Sequence, residues 1–280
     1  MVAEKIEKKI ISDLKEAIPE LALNVKNNFS LNQYKSKKNF VYDLVFTKKP
    51  KNYPKELILK IFRTENAENE YNTYKKLEKQ GLSIPKILFF YTPYLLLEKV
   101  KGINLCDVIN DNLINKIKLD ELNPSVLDLV VLSIHKLAAW IAQLHRQNIV
   151  NKTDPSNIIV LNKGDTRLRD FIMDITNEMI YGFDFEDSYE GNYLDDLAWI
   201  CCALLDTDPG LFEMFEPKHK TELTNIFLKE YFRINTDFQF SFQYFAEKLI
   251  ENLNIVIERR NLEFGPVSKN SILKNISKDY

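Results

Sequence analysis

Residues 144–160 read LHRQNIVNKTDPSNIIV, and two later stretches, MIYGFDFED at 179–187 and YLDDLAWI at 193–200, share their character of a short apolar run meeting carboxylates or amides. His145 closes a long helical pattern, PSVLDLVVLSIHKLAAWIAQLH, in which Leu127, Val131, Ile134, Ala138, Ile141 and His145 fall on one stripe. Ile149 and Val150 then read as strand, residues 151–157 as a loop punctuated by Pro155, and NIIVL as the next short strand. Asp154 is the carboxylate of that loop and Asn157 ends it. A further strand is expected at DFIMDI. MIYGFDF is a strand that delivers Asp184, and YLDDLAWI starts a helix that carries Asp196.

Upstream, the period changes. Ile6, Ile10, Leu14 and Ala17 predict an amphipathic helix over residues 3–17. FVYDLVF and ELILKIF are apolar runs separated by TKKPKNYPKE, which predicts two strands and a turn. Residues 65–80 return to helix, with Tyr71, Tyr74 and Leu77 along one face and Gly81 as its stop. IPKILFFY and YLLLEKV are two more strands, joined at Thr92-Pro93. Lys60 is the lone cation of ELILKIF, and an ammonium among apolar neighbours is costly unless it reaches a partner. Glu70, on the following helix, supplies one. The predicted class is α+β in two lobes: residues 1–98, with an N-terminal helix, an antiparallel sheet and one internal helix, and residues 99–280, mainly helical.

Composition narrows the function classes. The 280 residues carry 38 basic and 40 acidic side chains, a net charge of −2, with 45% hydrophobic residues. These are values of an ordinary globular chain and exclude disordered, collagen-like and disulfide-scaffold readings. Only 7 glycines are present, where about 7% usage would supply some twenty, which argues against a glycine-rich dinucleotide or P-loop site. Residues 1–63 hold 14 basic and 7 acidic side chains, so the remainder is acidic. Cys106, Cys201 and Cys202 are odd in number and lack C-x-x-C spacing, as expected of buried thiols in a reducing compartment. The opening residues lack a signal peptide's apolar stretch, and LDLVVLSIHKLAAWIAQL is broken by Ser133, His135 and Lys136. A cytoplasmic protein without a membrane span is expected, and nucleic-acid binding is not indicated. The three histidines do not cluster with cysteines at zinc spacing, and no G-x-S-x-G elbow is present. Trp140, Trp199 and the aromatic run Phe238, Phe240, Phe242, Tyr244 and Phe245 read as core, with a substrate groove as the alternative for the run.

In this order the elements resemble the two-lobed protein kinase-like fold, closest to the aminoglycoside and choline phosphotransferases and to small atypical kinases of RIO and tRNA-modification type. The resemblance spans residues 55–205. It implies that Lys60 contacts nucleotide phosphates and is held by Glu70. Glu98, ending a strand before Gly102, marks a hinge whose backbone meets the adenine. LHRQNIVNKTDPSNIIV resembles the family's catalytic loop, LHxxxIxHxDxxPxN. Asp184 matches the metal-binding aspartate of the Asp-Phe-Gly segment, with Glu186 in place of the glycine. Asp196 is to hydrogen-bond the catalytic-loop backbone. Asn157 and Asp184 are hard oxygen donors suited to Mg²⁺ on nucleotide phosphates. ATP and Mg²⁺ are the implied cofactors, and the implied partners are the nucleotide with either a small-molecule hydroxyl acceptor or, for a regulatory module, a protein partner.

The chain departs from that pattern twice. No glycine precedes Gly81, so NNFSLNQYKSKKNF would occupy the phosphate-covering turn, where Lys35, Lys37 and Lys38 could supply positive charge in place of backbone amides or simply form an exposed basic loop. In the catalytic loop Thr153 takes the aspartate position, four residues before Asn157 where the family has five, and counting back five reaches Lys152. Asp154 is the nearby carboxylate that could serve as base. Three functions follow: ATP-dependent phosphoryl transfer to a small molecule; a pseudokinase that binds nucleotide or acts as a scaffold; and transfer of another nucleotide group such as AMP.

Overall fold

A computed structural model describes residues 2–21, 28–36, 38–152, 154–155, 157–214, 217–263 and 272–280. Thr153 and Lys37 therefore lie outside the described residues. The chain divides into two compact units, Met1–Glu78 with Pro85–Val100, and Lys79–Ile84 with Lys101–Tyr280.

The first unit is a five-stranded antiparallel sheet with two helices. Its elements are α1 (Val2–Ala17), β1 (Phe29–Tyr34), β2 (Phe40–Phe46), β3 (Glu56–Ile61), α2 (Ala67–Lys79), β4 (Ile87–Tyr91) and β5 (Tyr94–Glu98), with spatial order β1-β2-β3-β5-β4. Strand alternation separates the faces of β3. Leu57, Leu59 and Ile61 join Tyr42, Leu44 and Phe46 in one core with Ile10 and Leu14 of α1. Lys60 points the other way, opposite Val41 and Leu95 in register. The buried residues of α2 are Ala67, Glu70, Tyr74 and Leu77, a helical stripe that includes one carboxylate. The Tyr94 hydroxyl donates to Asp13, fastening α1 to β5.

The second unit holds β6 (Ile103–Asn104), α3 (Leu105–Leu113), α4 (Pro124–Gln147), β7 (Ile149–Asn151), β8 (Ile159–Asn162), β9 (Phe171–Asp174), β10 (Met179–Gly182), β11 (Tyr189–Asn192), α5 (Tyr193–Asp206), α6 (Lys218–Ile234) and α7 (Phe242–Arg260). Two small sheets, β10-β9-β6 and β11-β8-β7, bring widely spaced segments together. Pro124 at the first turn and Asn148 at the end bound α4. By length and composition α4 could cross a membrane. It is instead the core helix of this unit: Val130, Ile134, Leu137, Ala138, Ile141 and Leu144 are fully buried. Residues 79–84 count with this unit because Trp140 Nε1 and Gly182 N both donate to the Ser83 carbonyl, at 2.8 and 3.1 Å. In the aromatic run at 238–245, Phe238 and Phe245 are buried while Phe240, Phe242 and Tyr244 are half-buried; Phe238 packs edge-on to Tyr193, with centroids 4.8 Å apart, and Phe240 packs on Phe232 and Tyr280. Cys201 and Cys202 are buried free thiols, and burial pushes both well above the ordinary thiol range.

Candidate active site

In the first unit, Lys60 Nζ donates to Glu70 Oε2 at 2.6 Å, and both side chains are buried. The ammonium also lies 4.9 Å from the centroid of Phe62. Here the strand period and the helix stripe meet, since Lys60 has left the apolar face of β3 and Glu70 is the carboxylate on the buried face of α2. The pair resolves the desolvation cost that either charge would carry alone. Glu98 is exposed at the end of β5, where its backbone N–H donates to the Lys86 carbonyl at 2.9 Å. Lys35 and Lys38, beyond β1, are exposed.

In the second unit the polar residues concentrate on the loop that leaves β8. Asp196, in the first turn of α5 and fully buried, accepts from Lys163 N at 2.6 Å and Gly164 N at 2.9 Å. Its Oδ2 also lies 3.1 Å from His145 Nε2, while His145 Nδ1 lies 2.8 Å from the Tyr231 hydroxyl. The ring thus links Asp196 to the Tyr231 hydroxyl, one nitrogen to each. Gly164 cannot be exchanged cheaply: its φ is +69°, and a Cβ there would meet the Asp187 carbonyl oxygen at 2.3 Å.

Beyond Gly164 the chain passes through Asp165, with φ of +36°, and a short turn over Leu168–Asp170, then enters β9. β9 pairs with β10, and two residues after β10 stands Asp184, also left-handed at φ +65°. Lys163 joins the two ends of this hairpin. Its buried Nζ donates to Asp170 Oδ2 at 3.3 Å and to the Asp184 carbonyl at 2.9 Å, between the rings of Phe171 and Phe185. Phe183 N also donates to the Asp170 carbonyl at 3.0 Å. Burial pushes the Asp170 carboxyl above the ordinary carboxylate range. The Lys163 charge opposes this rise and the Asp184 carboxylate adds to it. Two carboxyl groups thus sit close enough to repel, a donor set that suits a hard divalent cation. Asp165 is the third carboxylate, reached by Arg167 Nη2 at 3.1 Å and Arg259 Nη1 at 2.6 Å.

The loop at 151–157, where the sequence reading located the base and one metal ligand, has different surroundings. Asp154 and Asn157 are exposed, in the connection between β7 and β8, where Asn157 N donates to the Asp154 carbonyl at 2.9 Å. The Asn157 amide oxygen accepts from Asn192 Nδ2 at 3.0 Å. Lys152 pairs with Asp237, and Gln239 N donates to the Pro155 carbonyl at 3.0 Å. Asp196 was expected to hold the backbone of this loop; it holds that of 163–164 instead, because β8 delivers residue 163, not residue 152, to the start of α5. The residues that join Asp184 are therefore Lys163 and Asp170, which sequence reasoning passed over. A signal for them was present: from Asp165 to Asp170 is five positions, the family's own interval, with a lysine where the histidine is expected and an aspartate where the asparagine is expected.

Comparison with family models and with curated protein sequences finds no match. Comparison with solved structures does. A choline kinase from Streptococcus pneumoniae has a TM-score of 0.56 and 14% identity, covering 97% of both chains. An amicoumacin kinase, solved in complex with AMP-PNP, Ca²⁺ and Ami, has a TM-score of 0.51 and 14% identity over 95% of this chain and 92% of its own. A choline/ethanolamine kinase family protein from Mesorhizobium loti has a TM-score of 0.52 and 13% identity over 95% of this chain and 90% of its own. The chain has the protein kinase-like α+β fold.

Proposed function

We propose that this protein is a phosphotransferase that moves the terminal phosphoryl group of ATP onto a hydroxyl of a small molecule, with residues 163–170 as its catalytic loop. The support is one observation above all: a single buried lysine, Lys163, binds both Asp170 and the Asp184 backbone, while Asp196 holds the same loop by two backbone N–H groups. Phosphoryl transfer rests on positioning and electrostatics, so a rigid frame of this kind is the main demand on the protein. The solved small-molecule kinases of the same fold, one of them with a nucleotide analogue and a divalent cation, point to the same chemistry.

In this reading Asp165 receives the proton of the acceptor hydroxyl as its oxygen bonds to the terminal phosphorus and the bond from that phosphorus to the bridging oxygen breaks, releasing ADP. Asp170 and Asp184 would hold Mg²⁺, which offsets phosphate charge when bound. Lys163 positions both ligands. Lys60, held by Glu70, would contact phosphates, and the backbone at Glu98 would meet the base. Asp154 and Asn157 are left without a part in the transfer. A second reading, a module that binds nucleotide without transferring phosphate, draws on the glycine-free segment before β2.

The deciding experiment is a thermal-shift titration with ATP, with and without Mg²⁺, followed by ATP turnover against a pool of hydroxyl compounds. Bound ligand raises apparent stability in proportion to RT ln(1 + [L]/Kd). A Mg²⁺-dependent shift that Asp184→Asn and Asp170→Asn each abolish, together with turnover, is the expected result. A wild-type shift with no turnover would favour the second reading, and no shift at all would sink both.

A further inference from the structure

The surroundings of Asp165 carry information about what the acceptor is. Its carboxylate is gripped from two sides, by Arg167 of its own loop and by Arg259 from the last turn of α7. Arg259 is set in place by the Trp199 ring, whose centroid lies 5.5 Å from its guanidinium carbon. Each guanidinium spends one nitrogen on Asp165, and a guanidinium has five N–H donors. Both side chains remain about half exposed, 42% for Arg167 and 46% for Arg259, so outward donors are accessible.

Arg260 is spent on Asp206 and Glu213. Arg169, exposed, adds to the field at Asp206. Arg167 and Arg259 together set two half-exposed guanidinium groups against the single carboxylate of the proposed base. An ammonium group brought there would meet two guanidinium groups and compete with them for Asp165. A carboxylate or phosphate would meet planar forks that suit bidentate binding. Exposed ion pairs contribute little to stability, so support of the fold does not account for two arginines on one carboxylate.

We propose that the acceptor is anionic: a hydroxyl compound bearing a carboxylate or phosphate group, received by Arg259 and Arg167. This rests on the phosphotransferase reading, and it adds a consequence. An anion that takes the two forks draws them from Asp165 and frees that carboxylate for the hydroxyl proton, so acceptor binding and release of the base are one event.

The test uses the full chain with Mg²⁺ and ATP and four probes: glycerate, glycerol 3-phosphate, glycerol and choline. Nucleotide binding is measured first by thermal shift, so that failure of the phosphotransferase reading appears there and is separate. With nucleotide bound, the expected result is that an anionic probe binds at least tenfold tighter than glycerol and choline. Glycerate against glycerol 3-phosphate then tells carboxylate from phosphate recognition. Arg259→Gln is expected to erase the preference, and Arg259→Lys to keep only part of it. Nucleotide binding with no preference for either anion, a preference for choline, or a preference that survives Arg259→Gln would each overturn the proposal. The wild-type ranking decides even if a variant fails to fold.

Discussion

Two loops of the second unit invite the same reading and differ in what surrounds them. Residues 151–157 have the familiar letters, a proline and an asparagine before a short strand, and residues 163–170 do not. Yet the described residues of the first loop are exposed, and its ion pair Lys152–Asp237 is exposed too, while the second is held by buried Asp196 and buried Lys163. Burial decides the weight of each contact. A pair in water contributes little, whereas a buried one is costly to break. A polar loop suited to positioning charge is therefore recognised by the buried groups that bind its backbone, more than by its own letters.

The sharpest way to break this comparison is through activity. Asp165→Asn is expected to lower turnover by about 10²–10⁴, the usual contribution of a positioned base, with nucleotide binding kept. Asp154→Asn, in the other loop, should leave turnover within about twofold of wild type, since an exposed carboxylate without a part in proton transfer contributes nothing to the barrier. Steady-state kinetics on both variants checks this. The reverse ranking would return the base to Asp154.

Stability offers a second contrast. Lys163→Met leaves the Asp170 carboxylate without its buried cation, and urea unfolding should register a loss of about 3–5 kcal/mol. Lys152→Met removes one partner of an exposed pair and should cost about 0–1 kcal/mol. Similar losses in the two variants would mean that the loops are equally embedded and the distinction is false.

Much of the fold was legible because it is written in periods. The 3.6 spacing of α1, α2 and α4, the apolar runs of β2, β3 and β5 and the strand at DFIMDI all match the structure. The partnership of Lys60 with Glu70 was legible too, because a buried strand cation demands a carboxylate and one helix offers it. The loop was not. Pro155 and Asn157 matched a pattern by identity, while Lys163 and Asp170 match it only by interval. The distance to Asp184 favours the second loop: Asp184 lies 14 positions after Asp170, room for one hairpin of two four-residue strands, and 27 positions after Asn157. Arg259 could not be foreseen at all, since it reaches Asp165 across 94 positions of sequence.

The smallest expected effect, and the one with the clearest sign, is the pH dependence of the two regions. Asp170 has its carboxyl raised, chiefly by burial, so the folded protein holds that proton more tightly than the unfolded chain does. Its contribution to stability is present at acid pH and is lost as pH rises through the raised folded value. Asp237 has its carboxyl lowered, chiefly by the hydrogen bond from Lys152. Its contribution is present above the ordinary carboxylate value and is lost as pH falls through the lowered folded value. The two loops thus bend the stability profile in opposite directions. Asp170→Asn should remove a decline on the neutral side of the ordinary carboxylate range, and Asp237→Asn should remove a decline on its acid side. Because Asp237 is exposed, its effect should be small and should shrink further as salt is added, while that of Asp170 should persist in salt. Urea denaturation at a series of pH values, at low and high ionic strength, reads both. If Asp170→Asn leaves the neutral-side slope unchanged, Asp170 is not held in the raised state, and the crowding of Asp170 and Asp184 that recommends them as a cation site loses its support.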